Sequence, residues 1–158
     1  SLHDALPIYL LGCCCLGFLI INLSNNKLFM GDSGSLFFGY FISYLMVNTV
    51  ANGLISPWFW GIIMAYALTE TIATTSYRIL FKKKWYGAHR SHAYQNIARV
   101  INNHLHVTGV IFFYHILWLV PLSLISVYDP MRAWLYLFLA ISPVLAFNLL
   151  YGPRFSND

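Results

Sequence analysis

The chain has 158 residues, of which 59% are hydrophobic, 18% aromatic and only 9% charged, with a formal net charge of +4. Soluble domains carry roughly 25% charged residues, so a water-facing surface is excluded, as are intrinsic disorder and, despite the pI near 9.0, a free nucleic-acid-binding module. At about 20 residues per span, the length accommodates some five membrane helices and little soluble material.

Residues 1–8, with His3, Asp4 and Pro7 and no initiator Met, read as a non-native leader. The native part is then 9–158. Apolar runs cut at polar breaks predict five spans, at 9–23, 36–55, 58–81, 107–126 and 133–150. None has the period-2 alternation of a barrel strand, so the expected fold is an all-α integral membrane bundle. Cys13, Cys14 and Cys15 are consecutive on the first span. Neighbours on a helix point in different directions and lack metal-ligand spacing, so they read as small apolar filler.

The loop at 24–35 holds Met30-Gly31-Asp32-Ser33-Gly34-Ser35 directly before the second span. Two glycines around an acid make a flexible turn at a helix N-terminus. Its unpaired N–H groups favour phosphate, and Asp32 could hold a divalent cation shared with that phosphate. Simple helix capping by Asp32, Ser33 or Ser35 is the plainer alternative. A serine-protease Gly-Asp-Ser-Gly is a third, but it requires a soluble β-barrel and a distant partner His, and the flanks here are lipid-facing helices.

Glu70 is the one acid within a span, flanked by Thr69, Thr71, Thr74, Thr75 and Ser76. A carboxylate at that depth costs about 3 kcal/mol without a partner, so it either lines a functional cavity or is hydrogen-bonded within the bundle. The loop at 82–106 opens on Lys82-Lys83-Lys84, an inner-leaflet anchor, with Trp85 and Tyr86 as an interfacial pair. His89, Arg90, His92 and Gln95 follow within seven residues, a donor set suited to a diphosphate. His89 and His92 share a face if the segment is helical. Zinc is an alternative, with His104 and His106 as further ligands, but no Cys or carboxylate lies nearby. His115, inside the fourth span, is expected to be satisfied by a neighbouring helix. Basic residues gather at Lys27, around 78–99 and at Arg154, with only Arg132 on the other side. The loops at 24–35 and 82–106 and the C-terminus therefore face the cytoplasm.

Gly17-Phe18-Leu19 with Asn22, FMGDSGSLFFG at 29–39 and AHRSHAYQ at 88–95 together resemble the C-terminal half of the polyprenyl-phosphate N-acetylhexosamine-1-phosphate transferases. These form glycosyltransferase family 4, which includes phospho-N-acetylmuramoyl-pentapeptide translocase and the undecaprenyl-phosphate N-acetylglucosamine-1-phosphate transferases. The likeness runs over nearly all the chain after residue 9, and the AHRSHAYQ motif most resembles members that start surface-polysaccharide or O-antigen synthesis. It implies the C-terminal part of a larger polytopic bundle in a bacterial inner membrane. The implied reaction is magnesium-dependent transfer of a sugar 1-phosphate from a UDP-N-acetylhexosamine to polyprenyl (undecaprenyl) phosphate, releasing UMP, with manganese as a substitute metal. Asp32 then matches the magnesium ligand and, with His89 and His92, the catalytic set. Gly31, Ser33, Gly34, Arg90, Gln95 and Glu70 match substrate-binding positions. Partners are the two substrates and membrane lipid, not nucleic acid; a homodimer is left open. The family's adjacent aspartate pair is absent from these residues, so the isolated chain is expected not to turn over. A small transporter or channel subunit with Glu70 as its ion site is the competing reading.

Overall fold

The computed structural model describes residues 2–25, 30–81 and 91–155, and among them every regular element is helical. The chain divides into two compact units, residues 1–45 and 46–158. In the first lie α1 (Leu2–Asn25) and most of α2 (Gly31–Ala51), which runs on into the second. Helix α1 begins at Leu2, so the residues set aside as a leader continue the helix of the first span. Cys13, Cys14 and Cys15 are exposed free thiols on it.

The second unit contains α3 (Pro57–Ile63), α4 (Ala65–Leu80), α5 (Ala93–Ile101), α6 (His104–Tyr114), α7 (Val120–Tyr128) and α8 (Ala133–Tyr151). Among the described residues three stretches are long and apolar enough to cross a membrane, Gly31–Ala51, His104–Tyr128 and Pro130–Tyr151, with a shorter apolar helix at Ile8–Asn22. The protein is an all-α membrane protein, as its composition requires.

The segment read as one span at 58–81 is two helices. Ser56 starts α3, its hydroxyl accepting from Trp58 N at 3.2 Å with Pro57 in the first turn. Met64, at φ −91° and ψ 0°, then separates α3 from α4. Backbone bonds from Met64 N to Trp60 O and from Leu68 N to Met64 O, both 3.0 Å, carry the ladder across the break.

Two prolines shape the remaining spans. Pro121 has no N–H for the carbonyl of Leu117, and the preceding turn, His115–Leu119, is wound as a π-helix with Val120 N bonded to His115 O. Pro143 inside α8 likewise frees the carbonyl of Leu139, which accepts from Trp118 Nε1 at 3.1 Å. The next carbonyl, Ala140 O, accepts from Tyr114 Oη at 2.6 Å. Aromatic donors on the helix joining α6 to α7 thus satisfy backbone that lipid could not. Ser123 and Ser126 are buried and bond back to Val120 O and Ser123 O on their own helix.

The core is small and built for close approach. Ile62, Ala65, Leu119 and Ala140 are buried together, with Tyr66, Tyr114, Leu137 and Ile141 packed around them. Alanines at 65 and 140 let α4 and α8 approach backbone to backbone, the usual device where lipid removes the hydrophobic drive between helices.

Candidate active site

Helix α4 turns one polar face inward. Tyr66, Glu70, Thr74 and Arg78 are spaced four apart and so lie on one face. Glu70 is 3% exposed, Thr74 0% and Arg78 5%. A polar face of this kind inside a membrane bundle demands partners, and the segment after residue 90 supplies them for Glu70 and Arg78, while the Thr74 hydroxyl has none among the described residues.

Ser91 and His92 approach that face in extended backbone, and α5 starts at Ala93. Arg78 Nη1 donates to Ser91 Oγ at 3.1 Å. The Glu70 carboxylate takes the end of α5. Its Oε1 accepts from the backbone N–H of Ala93 at 2.8 Å, and its Oε2 lies 2.5 Å from His92 Nδ1. An anion at the first N–H of a helix is favoured by the helix dipole and by an otherwise orphaned donor. The His92 side chain is 22% exposed, while the Glu70 side chain is 4% exposed. With Glu70 ionised, Nδ1 carries the proton that points at the carboxylate.

His92 is the N-cap of α5, with φ −65° and ψ 145°, and its own N–H donates to Gln95 Oε1 at 3.4 Å. The predicted helical face shared with His89 therefore does not arise on the described side, because the helix begins after His92. Gln95 uses its carbonyl oxygen on this cap. The Tyr94 ring stacks on His92 at 5.8 Å between centroids. Burial pushes the Tyr94 hydroxyl above its ordinary range, and the Glu70 carboxylate adds to the rise, against a smaller lowering from Gln95.

Asn96 fixes α5 at its other side. Its Nδ2 donates to Tyr151 O at 2.7 Å and to Gly152 O at 2.9 Å, and lies 3.5 Å from Ser91 O. Its Oδ1 accepts from Arg99 Nη2 at 2.5 Å. The helix ends at Asn102 in left-handed conformation (φ 52°), and Asn103 caps α6 through His106 N at 3.2 Å. The long polar loop expected at 82–106 thus contains a docked helix.

The other motif lies in the first unit. Gly31 has φ +66°, which only glycine adopts without cost, and starts α2; Asp32 stands exposed in its first turn. Ser35 Oγ donates to Asp32 O at 3.1 Å. The carboxylate of Asp32 has no hydrogen-bond or ion-pair partner among the described residues. A Cβ at Gly34 would lie 2.3 Å from Met30 Cγ, so the exposed Met30 side chain would have to move aside. Ser33 shares this exposed turn.

Of the residues singled out in the sequence, the second unit brings Glu70, His92 and Gln95 together, and α2 carries Gly31, Asp32, Ser33 and Gly34 in its first turn. His89 and Arg90, like Lys82, Lys83, Lys84, Trp85 and Tyr86, lie outside the described residues. His104 and His106 are exposed on the first turn of α6. His115 is satisfied by its own helix instead of a neighbour, Nδ1 to Ile111 O at 2.8 Å, and its ring meets Tyr66 edge-on at 5.4 Å. Among the described residues no three of His, Cys, Asp and Glu gather to hold a metal. Ser91, Arg78 and Asn96 were not expected to act here. The four-residue spacing from Glu70 through Thr74 to Arg78 is the signal in the sequence that could have found Arg78.

Beside the inward face of α4, an apolar cleft of about 190 Å³ is lined by Tyr66, Val110, Tyr114, Val144 and Phe147. The Tyr66 hydroxyl is buried without a hydrogen-bond partner among the described residues.

Residues 2–50 match the family model described as Glycosyl transferase family 4. The matched segment includes α1, the Asp32 turn and nearly all of α2. No curated protein and no solved structure matches the chain.

Proposed function

We propose, from the match of residues 2–50 to the model described as Glycosyl transferase family 4, that the chain belongs to that family and to an enzyme transferring N-acetylhexosamine 1-phosphate from a UDP-sugar to polyprenyl phosphate. The observation that carries this reading is Asp32, an exposed carboxylate without a partner among the described residues, in the first turn of a membrane helix and inside the matched segment. In the reaction an oxygen of the lipid phosphate attacks the sugar-bearing phosphorus of the diphosphate, the bond to the bridging oxygen breaks, and UMP departs. The protein's part in such a step is positioning and charge neutralisation.

Magnesium suits the residues present. It is commonly held by one or two carboxylates together with substrate phosphates and water, and Asp32 offers one carboxylate beside the N–H groups of a helix start. When bound, the metal would neutralise charge on the diphosphate oxygens. His89 and Arg90 supply donors to the diphosphate, and His92 is held for the same substrate by Glu70. The apolar cleft beside Tyr66 offers an isoprenoid chain a bed within the membrane. Positive loop residues support a cytoplasmic site with the helices in a bacterial inner membrane.

Ion conduction at Glu70 has weaker support, because both of its oxygens are engaged by His92 and Ala93. An ion site needs oxygens to give to the ion.

The test is Asp32→Asn in a parent protein carrying the N-terminal half that the family likeness calls for. Transfer of labelled sugar phosphate to polyprenyl phosphate should fall by 10²-fold or more while membrane insertion is unchanged. Wild-type transfer by this variant would remove Asp32 from the metal site and with it the basis of the proposal.

A further inference from the structure

We infer that Glu70 is a positioning residue whose carboxylate sets which ring nitrogen of His92 carries the proton. The inference deepens the transferase reading and rests on it only for the identity of the substrate. The geometry comes entirely from the second unit.

The two oxygens of Glu70 meet two different kinds of group. Ala93 N–H is a donor and nothing else, and it lies 2.8 Å from Oε1. His92 Nδ1 can donate or accept, and it lies 2.5 Å from Oε2. The capping box turns the backbone N–H of Gln95 toward the His92 side chain, but no cap hydrogen bond is made there, whereas Glu70 Oε2 lies at 2.5 Å; a carboxylate accepts at both oxygens, so it requires Nδ1–H, and in the neutral imidazole the lone pair is then on Nε2. The arrangement is rigid. The Glu70 side chain is 4% exposed, Ala93 is fully buried, and Gln95 fixes the backbone N–H of His92 from the other side. Stacking of Tyr94 on the imidazole holds the plane of the ring. Burying a carboxylate this deeply is costly unless its oxygens are used, and using them on a histidine gives that histidine one polarity.

The chemical consequence is a division of labour in the loop. Neutral His92 offers an acceptor at Nε2, suited to an N–H or O–H of the sugar nucleotide, such as an acetamido N–H, a uracil N–H or a sugar hydroxyl. Donation to the diphosphate oxygens then falls to Arg90 and His89. Glu70 touches no substrate in this scheme; it acts through His92.

The structure also dictates what an isosteric change does. In Glu70→Gln the side chain has one oxygen and one NH2. Ala93 N–H can only donate, so it takes the oxygen, and the NH2 faces His92 Nδ1. Nδ1 must then accept, and the proton moves to Nε2. One atom replaced in the buried acid thus turns the acceptor of His92 into a donor.

The test is 15N NMR of the full chain, labelled at histidine and reconstituted in bilayers, with the His92 signals assigned by their loss in His92→Gln. Wild type should show a protonated Nδ1 and an unprotonated Nε2 at a pH where the ring is neutral. Glu70→Gln should show the reverse. A wild-type ring protonated at Nε2 overturns the inference without reliance on any variant, and a Glu70→Gln ring that keeps Nδ1–H overturns the claim that Glu70 sets it. UDP-N-acetylglucosamine binding, measured for the same substitutions in a parent protein that carries the N-terminal half, is the second readout. Loss of a charge-assisted bond predicts weakening of about tenfold or more in Glu70→Gln, with partial recovery in Glu70→Asp, which keeps two acceptor oxygens. Failure of wild type to bind the sugar nucleotide would count against the transferase reading and leave the tautomer result standing. Binding unchanged beside a reversed tautomer would overturn the acceptor role of His92.

Discussion

Asn96→Asp replaces the NH2 group of the side chain with a carboxylate oxygen, which can only accept and so repels the two carbonyls it faces, and it keeps the size of the side chain and the oxygen that accepts from Arg99. The amide nitrogen it deletes bonds Tyr151 O at 2.7 Å and Gly152 O at 2.9 Å, and these tie the loop helix to the end of α8. Asn96 and Gly152 are both buried, so the Gly152 carbonyl has no ready water to replace the lost donor. An orphaned buried acceptor costs about 1–3 kcal/mol and a net hydrogen bond about 1 kcal/mol, which puts the cost of undocking at about 2–4 kcal/mol. That energy is local, since it holds α5 and not the spans. Hydrogen–deuterium exchange in lipid nanodiscs reads it directly, because protection of an element reports its own opening free energy. Amides in Ala93–Ile101 should exchange about 30-fold to several hundredfold faster, while those in the middle of α8 stay as in wild type. Exchange in α5 within about twofold of wild type would refute the view that this amide is the latch. Equal acceleration in α5 and mid-α8 would refute the claim that the latch is local.

Gly152→Ala should undock the same helix from the other side. Its Cβ would lie 2.2 Å from the backbone oxygen of Asn148, which cannot swing away like a side chain, so a shift of the α8 end costing about 1–3 kcal/mol is expected and again appears as faster exchange over Ala93–Ile101. Trp118→Phe should leave the Leu139 carbonyl that Pro143 frees without its 3.1 Å donor, lowering thermal stability in bilayers by about 1 kcal/mol or somewhat more; Trp118→Phe combined with Pro143→Ala should cost less than the sum of the two. Tyr94 should titrate later than an ordinary tyrosine, because burial and the Glu70 charge favour its neutral form. The folded-state value lies above the unfolded one, so this contribution to stability is present below the ordinary tyrosine range near 10 and is lost as pH rises through the folded value. The difference in tyrosinate absorbance between wild type and Tyr94→Phe reads that titration, and in Glu70→Gln it should move to lower pH.

Lipid made most of the architecture readable. A segment that must satisfy its backbone internally and present apolar side chains outward has little choice but helix; residues 36–51 of the first such run, whose last four residues turn out of α2, and the runs at 107–126 and 133–150 are helical in the structure. Departures occur where a local polar event intervenes. Met64 sits in an apolar run with no proline beside it, and nothing in its neighbours' residue types announces the break between α3 and α4. His115 looked in need of a partner from another helix, yet a side chain that can reach back to the carbonyl four residues earlier satisfies itself. Helix α5 was hidden because nine residues between two spans give too short a window for periodicity. Its boundaries were nevertheless written in caps, Gln95 three residues after His92 and the Asn102-Asn103 pair that stops one helix and starts the next.

The candidate site was legible as a set of residue types and not as a set of bonds. Glu70 and His92 each stood out, the acid for its depth and the histidine for its loop, but their separation of 22 positions in the chain follows no spacing rule that would join them. What joins them is a requirement each half states separately. An acid on the inward face of α4 must find donors, and a helix that begins at Ala93 must find an acceptor for its first N–H. Either requirement alone admits many solutions, such as water, a lysine, or a serine cap. Both are met at once only by bringing the acid to the helix start, and His92, as the residue immediately before that start, is then carried into the pair. The position that made His92 look like a substrate ligand is therefore also the position that gives Glu70 its hold on it, which is why a variant at 70 is expected to register at the imidazole before it registers anywhere else.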